Sequence, residues 1–277
     1  MRERELDVAG VRTRVLEAGP QERAEAVVLV HGNPGSAQDW EELLPRLGTE
    51  HRALALDQPA FGRADAPPAF EHTVAGHALF LGAALERLGV HSAHLVLHDF
   101  GGAFGLAWAV AHPGALASVT LIDTGILPGY RWHSAARIWR TPLLGELAQA
   151  TTTGAVFRRA VQRGSPRPLP AAFVERMATD YDRDLRRAVL RLYRSTDLRA
   201  METAARAFRE LDPPTLVLWG AHDPYIGAAW AARQRDAFPR AEVHVLDGCG
   251  HWPFVDEPER VAGLLGSFLA RASGRPT

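Results

Sequence analysis

The chain has 277 residues, 47% of them hydrophobic and 23% charged, enough to bury a sizeable core as one domain or as one domain with an insert. A net charge of −1 gives no overall basic field for nucleic acid or an anionic membrane, so neither is expected as a partner. The charged start, MRERELDVAG, does not resemble a leader, and the longest apolar run, near Ala103–Ala111, is too short to span a bilayer; a soluble, cytosolic protein is expected.

The composition also narrows the chemistry. All 31 basic residues are arginine, which removes Schiff-base and P-loop lysines. Cys249 is the one cysteine, so no internal disulfide or cysteine-based metal cluster is possible, and Asn33 is the one asparagine. Histidines and carboxylates are left to carry most of the chemistry.

In chain order, short β-branched runs alternate with helical patterns. Strands are expected at Ala26–His31, Arg52–Asp57, Ala93–His98, Ser118–Asp123, Thr215–Trp219 and Ala241–Leu246, and helices at about Thr73–Leu88, Phe100–Ala111, Ala228–Ala237 and Pro258–Arg271. Such strands read as buried on both faces, so the alternation predicts an α/β fold with a mostly parallel, doubly wound sheet. Residues 126–212 break the rhythm: amphipathic helical segments there are split by Pro142, Gly154, the Gly164–Pro170 stretch and Pro213, with no convincing strand. They read as a helical cap inserted into a core formed by 1–125 and 213–277. The interval holds 16 Arg against 9 Asp and Glu (+7), leaving 15 against 23 (−8) in the rest, so near-neutrality hides an acidic core and a basic insert. The tail 271–277 is expected to be disordered.

Four motifs carry the chemistry. Leu95–Gly102 reads LVLHDFGG, a strand, a sharp turn and a helix; Gly101 and Gly102 give the small side chains that such a crowded turn needs, with Asp99 at its apex. His31–Ser36 reads HGNPGS after a strand, and its amides, with that of Phe100, are candidates for an oxyanion hole; His31, Gly32, Asn33 and Phe100 are therefore the candidate oxyanion or substrate-binding residues. Trp219–Asp223, WGAHD, puts Asp223 at a late strand end. Gly248–Phe254, GCGHWPF, puts His251 between glycines on a loop. The order nucleophile, acid, histidine is that of α/β-hydrolases.

On these motifs the chain resembles the α/β-hydrolase family over nearly its whole length. Its HDxGG elbow is similar to the aspartate-nucleophile branch of epoxide hydrolases and haloalkane dehalogenases. The resemblance implies that Asp99 forms an alkyl ester, that His251 activates water to cleave it, and that Asp223 orients His251, with Asp123 as the alternative acid. No cofactor or metal is implied. The expected partner is an apolar, electrophilic small molecule, and the expected state a monomer or homodimer. Within the branch, Asn33 matches the halide-binding asparagine of dehalogenases, but Phe100 lacks the N–H of their tryptophan; Trp132 or Trp139 is a substitute. In the haloacetate enzymes the elbow resembles HDRGGR, where this chain has Phe100 and Ala103. Epoxide hydrolases need a cap acid, and Tyr193, 30 residues before Asp223 and 58 before His251, resembles their second cap tyrosine. The first is not evident; His133, Tyr130 and Tyr181 are candidates. Trp132, His133 and Trp139 are expected cap contacts to substrate. The favoured expectation is an epoxide hydrolase giving a vicinal diol, then a haloalkane dehalogenase. Behind them stand ester or C–C hydrolysis, a cofactor-free oxygenase, and a non-catalytic small-molecule-binding protein.

Overall fold

In a computed structural model, which describes residues 1–274, the chain forms an eight-stranded sheet flanked by helices. The elements, in order, are β1 (Arg2–Val8), β2 (Val11–Ala18), β3 (Glu25–Val30), α1 (Leu43–Leu47), β4 (Ala53–Leu56), α2 (Val74–Arg87), β5 (Ser92–His98), α3 (Phe100–Ala111) and β6 (Leu116–Ile122). Six helices follow: α4 (Ser134–Arg140), α5 (Leu144–Thr151), α6 (Gly154–Gln162), α7 (Ala171–Asp180), α8 (Arg183–Ser195) and α9 (Ala200–Leu211). The chain then returns to the sheet with β7 (Thr215–Gly220), α10 (Ala229–Arg233), β8 (Glu242–Leu246), α11 (Pro253–Asp256) and α12 (Pro258–Ala272).

The strand order is β1-β2-β4-β3-β5-β6-β7-β8, antiparallel at β1/β2 and β2/β4 and parallel from β4 to β8. From β3 the chain moves one way to β4 and then crosses back to β5, so the strand order reverses between β3 and β5. Open α/β sheets bind ligands at the carboxyl ends of such strands, and HGNPG and HDFGG follow β3 and β5. The six expected strands are present, and β4 and β7 are buried along their whole length. Hydrophobic burial on both faces of these strands, against helices on either side, is the main source of stability.

The β1–β2 hairpin was not among the expected elements. Its turn, Ala9–Gly10, has φ values of 51° and 80°, the geometry of a two-residue hairpin. The charges of RERELDV mask the hairpin, since four of the first five residues of β1 face solvent. Gly154 begins a helix instead of breaking one, because Thr153 caps α6 by accepting from the Val156 amide. At the carboxyl end, Arg271 and Ala272 complete α12 where disorder was expected; residues 275–277 lie outside the described residues.

Helix α8 shows how the inserted segment is built. Asp182 caps it by accepting from the amides of Asp184 and Leu185, a contact worth about 1 kcal/mol. Leu185, Ala188, Val189 and Leu192 recur at helical spacing and are buried, while Arg183, Arg187 and Arg191 are exposed. The same stripe carries Tyr193 inward.

Candidate active site

Asp99 sits between β5 and α3 with φ 47° and ψ −124°, a conformation costing roughly 1–3 kcal/mol for a non-glycine residue. The surroundings hold it there: its carbonyl accepts from the Gly102 amide (2.9 Å) and the Thr124 hydroxyl (2.6 Å). Gly101 allows the close approach, since a Cβ there would lie 2.2 Å from the Val30 carbonyl oxygen. The carboxylate Oδ1 accepts from the Asn33 amide at 2.8 Å, and the Phe100 amide also faces it. Burial pushes Asp99 above the usual carboxylate range, while His251 and the two amides pull it back.

His251 stands on the loop after β8, with its Nε2 3.7 Å from Asp99 Oδ2 and its Nδ1 2.9 Å from Asp223 Oδ2. Burial lowers its basicity, but Asp223 and Asp99 outweigh that and raise the pKa above the ordinary histidine value. Two contacts fix the ring's loop. The His251 amide donates to the Gly164 carbonyl (2.6 Å), and the His251 carbonyl accepts from His98 Nε2 (2.7 Å). His98 is buried and packs on Trp40 and Phe254; burial, then the nearby His251, push its pKa well down. It is a brace for the loop.

Of the two candidate acids, Asp223 reaches His251 and Asp123 does not. Asp223 Oδ1 also accepts from the Tyr225 and Ile226 amides, which aims Oδ2 at the ring. Asp123 lies behind it, one oxygen accepting from the Gly220 amide (2.9 Å) and the other buried without a hydrogen-bond partner among the described residues. Burial, then repulsion from Asp223, push Asp123 well above the usual carboxylate range.

The expected binding residues divide. Asn33 and Phe100 line the cavity above Asp99. His31 does not: it is fully buried, donates from Nδ1 to the Gly32 carbonyl (3.0 Å), and accepts at Nε2 from the Gln58 amide (3.0 Å). Gly32 presents no group to the cavity either. Its backbone passes so close to Asp99 that a Cβ would lie 2.4 Å from the Asp99 Cβ. Asp57 likewise ties loops together, bonded to Arg14 and to the Ala37 and Arg63 amides. Cys249 is buried, its thiol pushed up to about 12 chiefly by burial.

The cavity is ≈ 320 Å³, and Trp132, His133, Trp139 and Tyr193 line it from the inserted segment. Tyr193 is buried, with its ring against Phe100 (4.9 Å), Trp139 (5.0 Å) and Trp132 (5.3 Å). Its phenol oxygen accepts from Asn33 Nδ2 at 3.4 Å, which leaves its own proton available. Burial, then the Asp99 charge, push its pKa well up, so it stays a phenol. The Tyr130 hydroxyl donates to the Tyr225 carbonyl and that of Tyr181 to Gln149, so both protons are engaged. His133 Nδ1 accepts from the Ala136 amide, and burial pushes the ring down to about 4, so its single proton sits on Nε2. No arginine among the described residues lines the cavity.

Sequence reasoning missed two groups. Tyr225 lies edge-on to His251 (ring centroids 4.9 Å) and is covered by α6, its hydroxyl donating to the Ala160 carbonyl. Its position two residues after Asp223, in DPY, was the available signal. Gly164 reaches His251 through a backbone carbonyl, which no side-chain pattern signals. No group of residues suited to holding a metal ion occurs among the described residues, and none of their helices is long and apolar enough to cross a membrane.

A carboxylate, a histidine and a second carboxylate thus stand together at the carboxyl ends of a parallel sheet, under an apolar cavity, an arrangement that nucleophilic catalysis can use. The chain belongs to the alpha/beta hydrolase fold family, which it matches over residues 25–258. It is 28% identical to the cis-3-alkyl-4-alkyloxetan-2-one decarboxylase of Xanthomonas campestris pv. campestris, over 96% of this chain and 95% of the relative. It is 26% identical to the haloalkane dehalogenase of Psychrobacter cryohalolentis, over 94% and 88%. Among solved structures, that of a DBJA mutant superposes with a TM-score of 0.89, covering 99% of this chain and 100% of the other at 23% identity.

Proposed function

We propose that this α/β hydrolase opens an apolar epoxide through an ester on Asp99 and releases a vicinal diol. The observation that carries the reading is the Tyr193 phenol. It is buried beside Asp99, accepts from Asn33 and keeps its own proton, so it supplies a neutral acid where an alkoxide would form. In the first step Asp99 Oδ2 bonds to a ring carbon, the C–O bond breaks, and the oxygen takes the Tyr193 proton. In the second, His251 takes a proton from water, which adds to the ester carbonyl, and the amides of Asn33 and Phe100 hold the oxyanion. The phenolate left on Tyr193 regains its proton from solvent before this second step, the tetrahedral species collapses to carboxylate and diol, and the proton held on His251 returns to solvent. His133 Nε2–H supplies a second donor in the same cavity.

The relative named for an alkyl-substituted oxetanone supports a scaffold of this length that accepts a strained C–O ring. A second relative, 27% identical, is named for 2-hydroxymuconate semialdehyde, an acid; no arginine among the described residues lines the cavity here to hold an acid group. The second reading is carbon–halogen hydrolysis, favoured by Asn33 Nδ2 beside the Tyr193 hydroxyl as a pair of halide donors and by the dehalogenase relative.

The test is trapping. His251→Gln is incubated separately with styrene oxide and with 1-bromobutane, and intact mass is recorded. A styrene oxide adduct that disappears in the Asp99→Ala, His251→Gln double variant is the expected result. A butyl adduct without an epoxide adduct moves the assignment to the second reading. No adduct with any electrophile in a wider panel overturns the alkyl-enzyme mechanism.

A further inference from the structure

Among the described residues ten large hydrophobic side chains are exposed, and five of them fall within residues 138–156: Ile138, Leu143, Leu144, Leu147 and Val156. The others are scattered over the molecule. Ile138 lies on α4, Leu143 just before α5, Leu144 and Leu147 on α5, and Val156 at the start of α6; α4 packs on α5, and Ile138 and Val156 line one cavity, which joins the five into one face. Leu143 is 82% exposed and adopts a φ of 67°, in the left-handed region that disfavours leucine. A turn would be better served by glycine or asparagine, and a leucine here contributes nothing to the core. Ile138 and Val156 also line the cavity above Asp99, so the patch is continuous with its mouth.

The charge around the patch has one sign. Residues 131–163 contain six arginines and a single acid, Glu146, which pairs with Arg194. Arg158 pairs with Glu175, and Arg140 donates to the carbonyls of Tyr193 and Thr196. Arg131, Arg137, Arg159 and Arg163 are exposed, with no carboxylate within ion-pair distance among the described residues. Exposed leucines on helices that also carry exposed arginines without an ion-pair partner have the chemistry of a surface that lies in the headgroup layer of an anionic bilayer. A second copy fits less well, because a two-fold contact would face these arginines with their own equivalents.

We propose that the α4–α6 face docks on an anionic lipid surface, placing the mouth of the cavity where apolar molecules are concentrated. Whole-chain neutrality, which argues against a membrane partner, averages over this local distribution. The inference does not depend on which electrophile Asp99 attacks.

Full-length protein is sedimented with vesicles of phosphatidylcholine alone and of phosphatidylcholine with phosphatidylglycerol. The wild type should bind the anionic vesicles, lose them at high salt, and ignore the neutral ones. The doubles Leu143→Glu/Leu147→Glu and Arg159→Glu/Arg163→Glu change exposed positions and should melt near the wild-type temperature. Each should bind at least about ten-fold more weakly. Failure of the wild type to bind anionic vesicles overturns the proposal, as does undiminished binding by both doubles. So does a wild-type dimer in gel filtration that the leucine double converts to monomer, which would assign the patch to a second copy.

Discussion

On the sheet side of the cavity, Asp99, Asp223 and His251 each stand on a loop at a strand end and are held by main-chain groups: the amides of Asn33, Tyr225 and Ile226 and the carbonyl of Gly164. On the helical side, Tyr193 and Trp139 stand within helices, and Tyr193 is held by rings, those of Phe100, Trp132 and Trp139. The two kinds of support suit different tasks. Main-chain groups at a rigid sheet edge can fix a nucleophile and its base within a fraction of an ångström. Packed rings tolerate exchange, so on the proposed mechanism the helical side would select leaving group and substrate shape while the sheet side keeps the nucleophile and base.

Removing the nucleophile is the sharpest break between the two sides. Asp99→Ala should abolish both ester formation and turnover, a loss of at least about 10⁴-fold, while leaving binding of an apolar ligand nearly intact. Comparable turnover in that variant would take the chemistry away from the sheet edge altogether. Next in size is the acid. Asp223→Asn should slow ester hydrolysis by about 10⁴-fold, because it leaves His251 in the wrong tautomer, yet should still form the ester. Asp123 bonds the Gly220 amide and does not reach His251, so Asp123→Asn should change turnover only a few-fold. Single-turnover kinetics on both variants separates the steps. Equal damage from the two would mean that the carboxylates act as one unit.

The same contrast explains what the sequence disclosed. Asp99, Asp223 and His251 stood out because a sheet edge demands small, turn-forming residues beside each of them: Gly101 and Gly102, Gly220, and Gly248 and Gly250. The six central strands were visible as short runs rich in Val, Leu and Ala. The β1–β2 hairpin was not, because its pairing partner and its solvent face are set by the rest of the sheet. His31 was misassigned since a motif marks a backbone path without saying which side chain the path turns inward; here it turns Asn33 in and His31 toward Gln58. On the helical side Tyr193 was singled out by its likeness to the second cap tyrosine of epoxide hydrolases, but Tyr130 and Tyr181 could not be set aside until their hydroxyls were seen to be engaged with Tyr225 and Gln149.

The helical side is tested by Tyr193→Phe. It keeps the ring packing and removes the proton, so epoxide alkylation should slow by about 100-fold or more while decay of a preformed ester changes little. An unchanged alkylation rate would leave the helical side with shape alone to contribute.

The smallest expected effect is a displacement in pH, and it reports on coupling within the sheet side. His251 must be neutral to act as a base, so ester hydrolysis should fall as the pH drops through its pKa. In the resting enzyme that pKa is raised by Asp223 and by the Asp99 carboxylate against the opposing effect of burial. Once Asp99 is esterified its charge is gone, one of the two raising influences disappears, and the pKa must fall. The acid limb of ester decay should therefore lie at lower pH than the titration of the His251 ring in the resting enzyme. Asp99→Asn should lower that ring titration in the same direction. Magnetic resonance on the resting protein and quenched single-turnover decay give the two curves. If they coincide, Asp99 and His251 are not electrostatically coupled, and the 3.7 Å approach between them contributes position only.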